Sequence, residues 1–221
     1  MKKINIAIDG PSGVGKSTIA KIIANQLDLI FVNTGLMYRC IGYICLKDKI
    51  KFDDEKSILD YLNKIKIELL PNEIIKLNNE DITKNLWTDE VSLAASRVAK
   101  LKLIREFCVH HQQEIAKNQP GIVMEGRDIG SVVLKDADLK FFLTASVETR
   151  AARRIKQLSL KGQKVNEEEI LNNIIERDKR DSEREHTPLI KPENAIEIDT
   201  SFLTIEEVVD KMIKLAKEKM K

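Results

Sequence analysis

Ile4 to Ile8 reads as a buried strand, and the chain then switches period. Ile19, Ile22, Ile23 and Leu27 recur at helical spacing, which predicts a helix over 16–27. Leu29 to Val32 is a second short strand, ending in a Thr34-Gly35 turn, and a helix follows from Leu36 to Leu46. Residues 55–64 fit a short helix. Beyond it Ile65, Ile67 and Leu69 alternate with Lys66 and Glu68, a strand pattern. Pro71-Asn72 turns the chain, Ile74 to Leu77 is extended again, and Asn78-Asn79 is another turn signal. Residues 65–84 are therefore expected to form a small antiparallel sheet, a mobile lobe inserted into an otherwise alternating chain.

Helical spacing returns after the lobe. Val91, Ala94, Ala95 and Val98 share one face; Ile104, Phe107, Cys108, His111 and Ile115 share another, stopped by Pro120-Gly121. Strands are expected from Ile122 and over Leu139 to Leu143. A helix over about 147–160 ends at Gly162, and a second begins near Asn166, with Glu169 three residues on as a variant capping box. Ala195 to Ile198 is a last short strand before a helix capped by Thr204 and Glu207. Such alternation predicts an α/β fold, a parallel sheet covered by helices. Ligands of such sheets sit beyond the carboxyl ends of the strands. That places Asp9, Thr34 and Arg127-Asp128 on one rim.

Composition narrows the class. A chain of 221 residues, 43% hydrophobic, supports one core with a small inserted lobe, hence a single domain. Net charge is +2, from 37 basic and 35 acidic residues, which argues against a dedicated nucleic-acid binder but leaves room for local basic patches. Cys40, Cys45 and Cys108 form no CxxC pair and suit a reducing compartment as small core residues. Met1-Lys2-Lys3 leads into an apolar run ending at Asp9, too short for a signal peptide's core or a membrane span. The expectation is a soluble cytoplasmic monomer that engages neither membrane nor nucleic acid.

Chemistry enters at Gly10-Pro11-Ser12-Gly13-Val14-Gly15-Lys16-Ser17, which matches G-x-x-x-x-G-K-[ST] between a strand and a helix. Glycines let the backbone curl so that its N–H groups face phosphate oxygens, and the helix N-terminus adds partial positive charge. Lys16 should reach the β- and γ-phosphates of ATP, and Ser17 should offer its hydroxyl to Mg²⁺. Switch GTPases share this loop, but their DxxG and NKxD patterns do not occur; Asn63-Lys64-Ile65-Lys66 lacks the aspartate.

A second set of residues belongs to an acceptor. Thr34-Gly35-Leu36-Met37-Tyr38-Arg39 follows the second strand, and an arginine there can grip a phosphate with paired hydrogen bonds. Taken alone, Tyr38 would read as core and Arg39 as solvated. "IVMEGRDIGS" at 122–131 starts as a buried strand and then delivers Glu125, Arg127 and Asp128. Ions at a strand end are costly unless they pair or bind something. With Gly10 to Thr18, Ala94-Ala95-Ser96-Arg97-Val98-Ala99, Glu176-Arg177-Asp178 and Arg180-Asp181, this ordered set resembles bacterial cytidylate kinase over essentially the whole chain.

The resemblance implies transfer of the γ-phosphate of ATP to CMP or dCMP. It implies that Ser96, Arg105 and Asp128 read the base, while Thr34, Tyr38, Arg39, Arg127, Arg177, Asp181 and Arg184 hold sugar and phosphate. It divides the chain into a core (about 1–35, 100–147 and 190–221), an NMP-binding region with the lobe (about 36–99) and a lid (about 148–189). The family often carries a basic residue where this chain has Trp87, which reads here as a packing residue. A carboxylate only accepts, and cytosine offers an amino donor where uracil offers a carbonyl oxygen, so Asp128 suits cytosine. Glu125 either positions Mg²⁺ through water or pairs with a neighbouring base.

Arg150, Arg153 and Arg154 share a helical face, as do Arg177, Asp181 and Arg184. Such patterns usually mark an exposed, salt-bridged helix. Beside a triphosphate site they suit a closing lid, with Arg154 and Arg184 on the transferring phosphoryl and Arg153 on the donor nucleotide. Phosphoryl transfer needs positioning and charge stabilisation more than covalent help. Of His110 and His111, one is expected to face the core. The rival readings are a kinase of the same fold acting on UMP or AMP, and a P-loop switch without phosphotransfer.

Overall fold

A computed structural model describes residues 2–70, 73–160 and 162–221. Five parallel strands form its central sheet, in the order β2 (Ile30–Asn33), β6 (Ile122–Gly126), β1 (Asn5–Asp9), β7 (Leu139–Thr144) and β8 (Ile196–Asp199). The central strands are apolar on consecutive residues because both faces are covered. Ile6 and Ile8 point toward α1 (Lys16–Gln26) and α8 (Ile205–Lys219), packing with Ile19, Ile23, Val208 and Met212. Ala7 and Met124 point to the opposite face, toward Ala116 of α5 (Lys102–Lys117) and Ile129. Strand boundaries fall within about a residue of those read from the pattern.

A second core joins the lobe to the helices around it. α2 (Gly35–Lys47), α3 (Glu55–Leu62), α4 (Asp89–Val98) and α5 enclose Ile41, Ile58, Leu62, Ile75, Leu86 and Ile104. The lobe is a three-stranded antiparallel sheet of β3 (Ile67–Leu70), β4 (Ile74–Leu77) and β5 (Glu80–Asp81). The turn expected at Pro71-Asn72 lies outside the described residues. α2 and α4 approach so closely that a Cβ on Gly42 would stand 2.7 Å from the backbone nitrogen of Ala95.

Caps explain where helices begin. Thr204 and Glu207 form the reciprocal capping box of α8. At α7 (Glu167–Glu183), Asn166 accepts from the Glu169 N–H, but no return bond from Glu169 is present, so only half of the expected box forms. Two short elements escaped the sequence pattern: a 3₁₀ turn at Thr83–Trp87 and a π-type turn at Ile129–Val133. The second has no periodic signature because a side chain elsewhere holds it, as shown below. The three cysteines are buried and unpaired, as expected of core residues. Of the two histidines, His111 is half-buried and bonds to the Phe107 carbonyl, while His110 is exposed. Among the described residues no helix is long and apolar enough to cross a membrane.

Candidate active site

β1, β2 and β6 end on the same rim, and a cleft of about 620 Å³ opens above them. On one side the loop after β1 turns into α1. Gly10 holds φ of 146°, and a Cβ there would fall 2.1 Å from the Leu143 carbonyl oxygen, so the loop can lie against β7 only with glycine. Gly13 and Gly15 take positive φ, and Ser12, Gly13, Gly15, Lys16, Ser17 and Thr18 line the cleft. Val14 instead turns into the core, and Pro11 contributes its carbonyl, which accepts from Lys16 Nζ at 2.7 Å.

The opposite wall holds the expected acceptor residues. Thr34, Tyr38, Arg39, Ser96, Arg105, Arg127, Asp128, Arg177, Asp181 and Arg184 all line the same cleft. Arg105 donates Nη2 to Asp128 and Nη1 to the Ala99 carbonyl at 3.0 Å. Arg127 donates Nε to Asp181 at 2.7 Å. The Ser96 hydroxyl, Arg177 Nε and Arg184 Nη2 are buried without a hydrogen-bond partner among the described residues. Buried polar atoms are rarely left unpaired, so these three mark where a ligand's polar atoms would fall.

Asp9 joins the two walls. Its carboxylate, at the end of β1, accepts the N–H groups of Ile129 and Gly130 at 2.8 and 2.7 Å. The loop carrying Arg127 and Asp128 is thus fixed by the strand that carries the phosphate loop. Burial pushes the Asp9 carboxyl up to about 6, against the pull of those two N–H donors.

Charge decides what the cleft can hold. Among the described residues nine basic side chains line it against three acidic ones, Glu125, Asp128 and Asp181, whereas the whole chain carries only +2. Burial, with Arg127 and then Arg177 nearby, drives Lys16 down to about 7. Burial and Arg127 likewise lower Arg177 to about 10. Burial raises the Tyr38 hydroxyl well above its ordinary range, which keeps it a neutral donor under the Arg105 guanidinium. Such crowding of like charge is relieved by a polyanion.

Several positions differ from expectation. Arg153 and Arg154 both line the cleft, but each has a partner within the protein: Arg154 pairs with Asp89 at 2.7 Å and with Gln157, and Arg153 donates to Thr200 beyond β8. Trp87 is not packed: it is 50% exposed at the mouth of the cleft, with the Arg39 guanidinium 5.2 Å from its ring centroid. The indole replaces a charge with a face on which Arg39 rests, while Arg39 Nη1 donates to the Leu86 carbonyl. Arg150, read from sequence only as part of a lid face, is buried: it pairs with Asp178 at 2.6 Å and donates to the Ser12 carbonyl at 3.2 Å. It straps the phosphate loop to α6 (Val147–Ser159) and α7. Its i, i+3, i+4 spacing with Arg153 and Arg154, both only half-buried, gave no sign of that burial. Asn33, which no motif marks, lines the cleft and donates to Glu73 of the lobe at 2.8 Å.

A P-loop at the carboxyl end of the central strand of a five-stranded parallel sheet, facing an arginine-rich pocket beneath a helical pair, defines a P-loop kinase. Solved structures agree on the fold: a gluconokinase from Sinorhizobium meliloti superposes with a TM-score of 0.50 at 15% identity, over 98% of this chain and 93% of that one. An uncharacterized protein from Eubacterium ventriosum superposes with a TM-score of 0.54 at 16% identity, over 98% and 99%. The profile of the cytidylate kinase family matches residues 6–218. The chain is 46% identical to the cytidylate kinase of Bacillus velezensis over 99% of its length and 98% of the relative's. It is 48% identical to that of Caldicellulosiruptor bescii, over 97% and 96%. The chain belongs to the cytidylate kinase family, and so to the phosphotransferases.

Proposed function

We propose that the chain transfers the γ-phosphoryl group of ATP to CMP or dCMP, by direct in-line displacement with Mg²⁺ bound to the donor. The observation that carries this reading is one cleft holding both the P-loop and the Arg105–Asp128 pair. Cytosine's amino group donates to the Asp128 carboxylate, while Ser96 and Arg105 supply donors for the ring's acceptors. With uracil, a carbonyl oxygen would face the carboxylate, leaving buried groups unpaired. Arg39, Arg127 and Arg177 stand where an acceptor phosphate would offset their mutual repulsion, and Thr34 and Tyr38 offer hydroxyls beside them. Asp181 holds Arg127 in place and limits the positive excess.

On the donor side, backbone N–H groups of residues 12–17 and the Lys16 ammonium would hold the phosphates. The acceptor's attacking oxygen is already ionised, so no side chain has to remove a proton. Charge on the transferring group is then met by Lys16, Arg127 and, on movement of α6 and α7, Arg154 and Arg184. For Arg154 this requires leaving Asp89, an exposed partner that gives it up at little cost. Residues 148–189 thus act as a lid and 36–99 as the acceptor-binding region of one domain.

Ser17 Oγ and Glu125 Oε1 lie 2.7 Å apart at the floor of the cleft, a hard oxygen pair suited to a cation that keeps most of its water. Bound with the nucleotide, Mg²⁺ supplies charge neutralisation at the β- and γ-phosphates. The test is ADP release with CMP, dCMP, UMP and AMP as acceptors. Turnover is expected to be strongest with the cytidine nucleotides; turnover confined to UMP or AMP, or ATP binding that no acceptor stimulates, rejects the reading.

A further inference from the structure

Thr187 lies four residues beyond the last turn of α7 and holds φ of 48°, the left-handed region that a β-branched side chain rarely occupies. Non-glycine residues stay in that region only when their surroundings hold them there. Here the surroundings are two arginines of the acceptor pocket. The Thr187 hydroxyl accepts from Arg105 Nε, and its carbonyl accepts from Arg184 Nε at 2.6 Å. Leu189 N–H donates to the Asp181 carbonyl at 2.8 Å, folding the segment back against α7.

A guanidinium is a rigid plane, so fixing Nε fixes which edge it presents. Arg105 is held at Nε by Thr187 and at Nη1 by the Ala99 carbonyl, which leaves Nη2 for Asp128. Arg184 is held at Nε by the same residue, which leaves Nη2 3.8 Å from Asp128 and without a hydrogen-bond partner. One residue therefore sets the orientation of both arginines beside the proposed base-reading carboxylate. Its hydroxyl also ties α5, in the body of the fold, to the segment leaving α7.

We propose that Thr187 is a positioning residue for acceptor-base selectivity: its hydroxyl holds the Arg105 plane so that Arg105 and Asp128 meet the base together. Through the same bond, base recognition depends on where the helical pair sits. The inference rests on the reading of Arg105 and Asp128 as base contacts. It adds that selectivity is lost when a group that never touches the base is removed.

The test compares kcat/KM for CMP and UMP in the wild-type chain, Thr187→Val and Thr187→Ser. Valine keeps the branched shape and the backbone constraint but cannot accept from Arg105. The CMP-to-UMP ratio is expected to fall about tenfold in Thr187→Val, the loss of one charge-assisted hydrogen bond. In Thr187→Ser it should stay within about twofold of wild type. Should Thr187→Val fail to fold, Thr187→Gly removes the hydroxyl while relieving the backbone, and the same tenfold fall is expected. A wild-type ratio in the hydroxyl-free variant, or an equal fall in Thr187→Ser, overturns the proposal. A wild-type chain with no preference for CMP instead overturns the acceptor reading itself.

Discussion

Lys16 shows how far a site residue's state departs from its ordinary chemistry. Its ammonium sits near a pKa of about 7 because burial and two guanidiniums oppose its charge. Above that value it is mostly neutral in the free cleft, and a triphosphate would raise its pKa. ATP binding at pH 8, where a terminal phosphate with a second pKa of about 6 is already ionised, is therefore expected to take up protons. Calorimetry in two buffers of different ionisation enthalpy measures this, and the uptake should vanish in Lys16→Met; proton release would contradict the assignment. Single residues were unevenly legible in the sequence. Lys16 and Ser17 stand out by their place in the phosphate-loop motif, and Asp128 by the family resemblance and its carboxylate chemistry. Thr187 does not, because its left-handed backbone is imposed by arginines distant in sequence, and no glycine marks the place. Trp87 misled because an indole beside Leu86 reads as core, whereas its partner is a guanidinium at the cleft mouth.

At the scale of elements, the periodic ones were legible and the held ones were not. α1, α5 and the lobe strands follow from where apolar residues recur. The π-type turn at Ile129–Val133 follows from Asp9, more than a hundred residues away. The contact of α2 with α4 was equally hidden, since Gly42 in mid-helix normally costs stability relative to alanine. Gly42→Ala sets a gain of up to about 1 kcal/mol in helix propensity against overpacking of about 1–3 kcal/mol. The obstruction is backbone, at 2.7 and 2.9 Å, which cannot turn aside as a side chain can. Overpacking is expected to win, lowering the urea midpoint, and because α2 carries Tyr38 and Arg39, KM for the acceptor should rise as well. A raised midpoint would show that α4 yields.

For the whole molecule, overall charge was the least informative quantity and its distribution the most. A chain at +2 gathers nine basic side chains, among the described residues, into one cleft, and the rest of the sequence balances them. That excess, together with an Arg154 parked on exposed Asp89, suits a helical pair that moves when phosphates arrive. Amide exchange over 148–189 is expected to slow several-fold only with both nucleotides bound; equal protection without them would mean the pair is fixed. Alternation of strands and helices made the parallel sheet legible, but which strand ends converge depended on the order β2-β6-β1-β7-β8, which the sequence does not state. The proposed convergence of donor loop and a base-reading Arg105–Asp128 pair is tested most directly by Asp128→Asn, assayed for phosphoryl transfer to CMP and UMP in parallel. An amide can turn either a donor or an acceptor to the base, so the CMP-to-UMP ratio of kcat/KM should fall by about tenfold or more. A ratio equal to wild type would contradict Asp128 as the reader of the acceptor base.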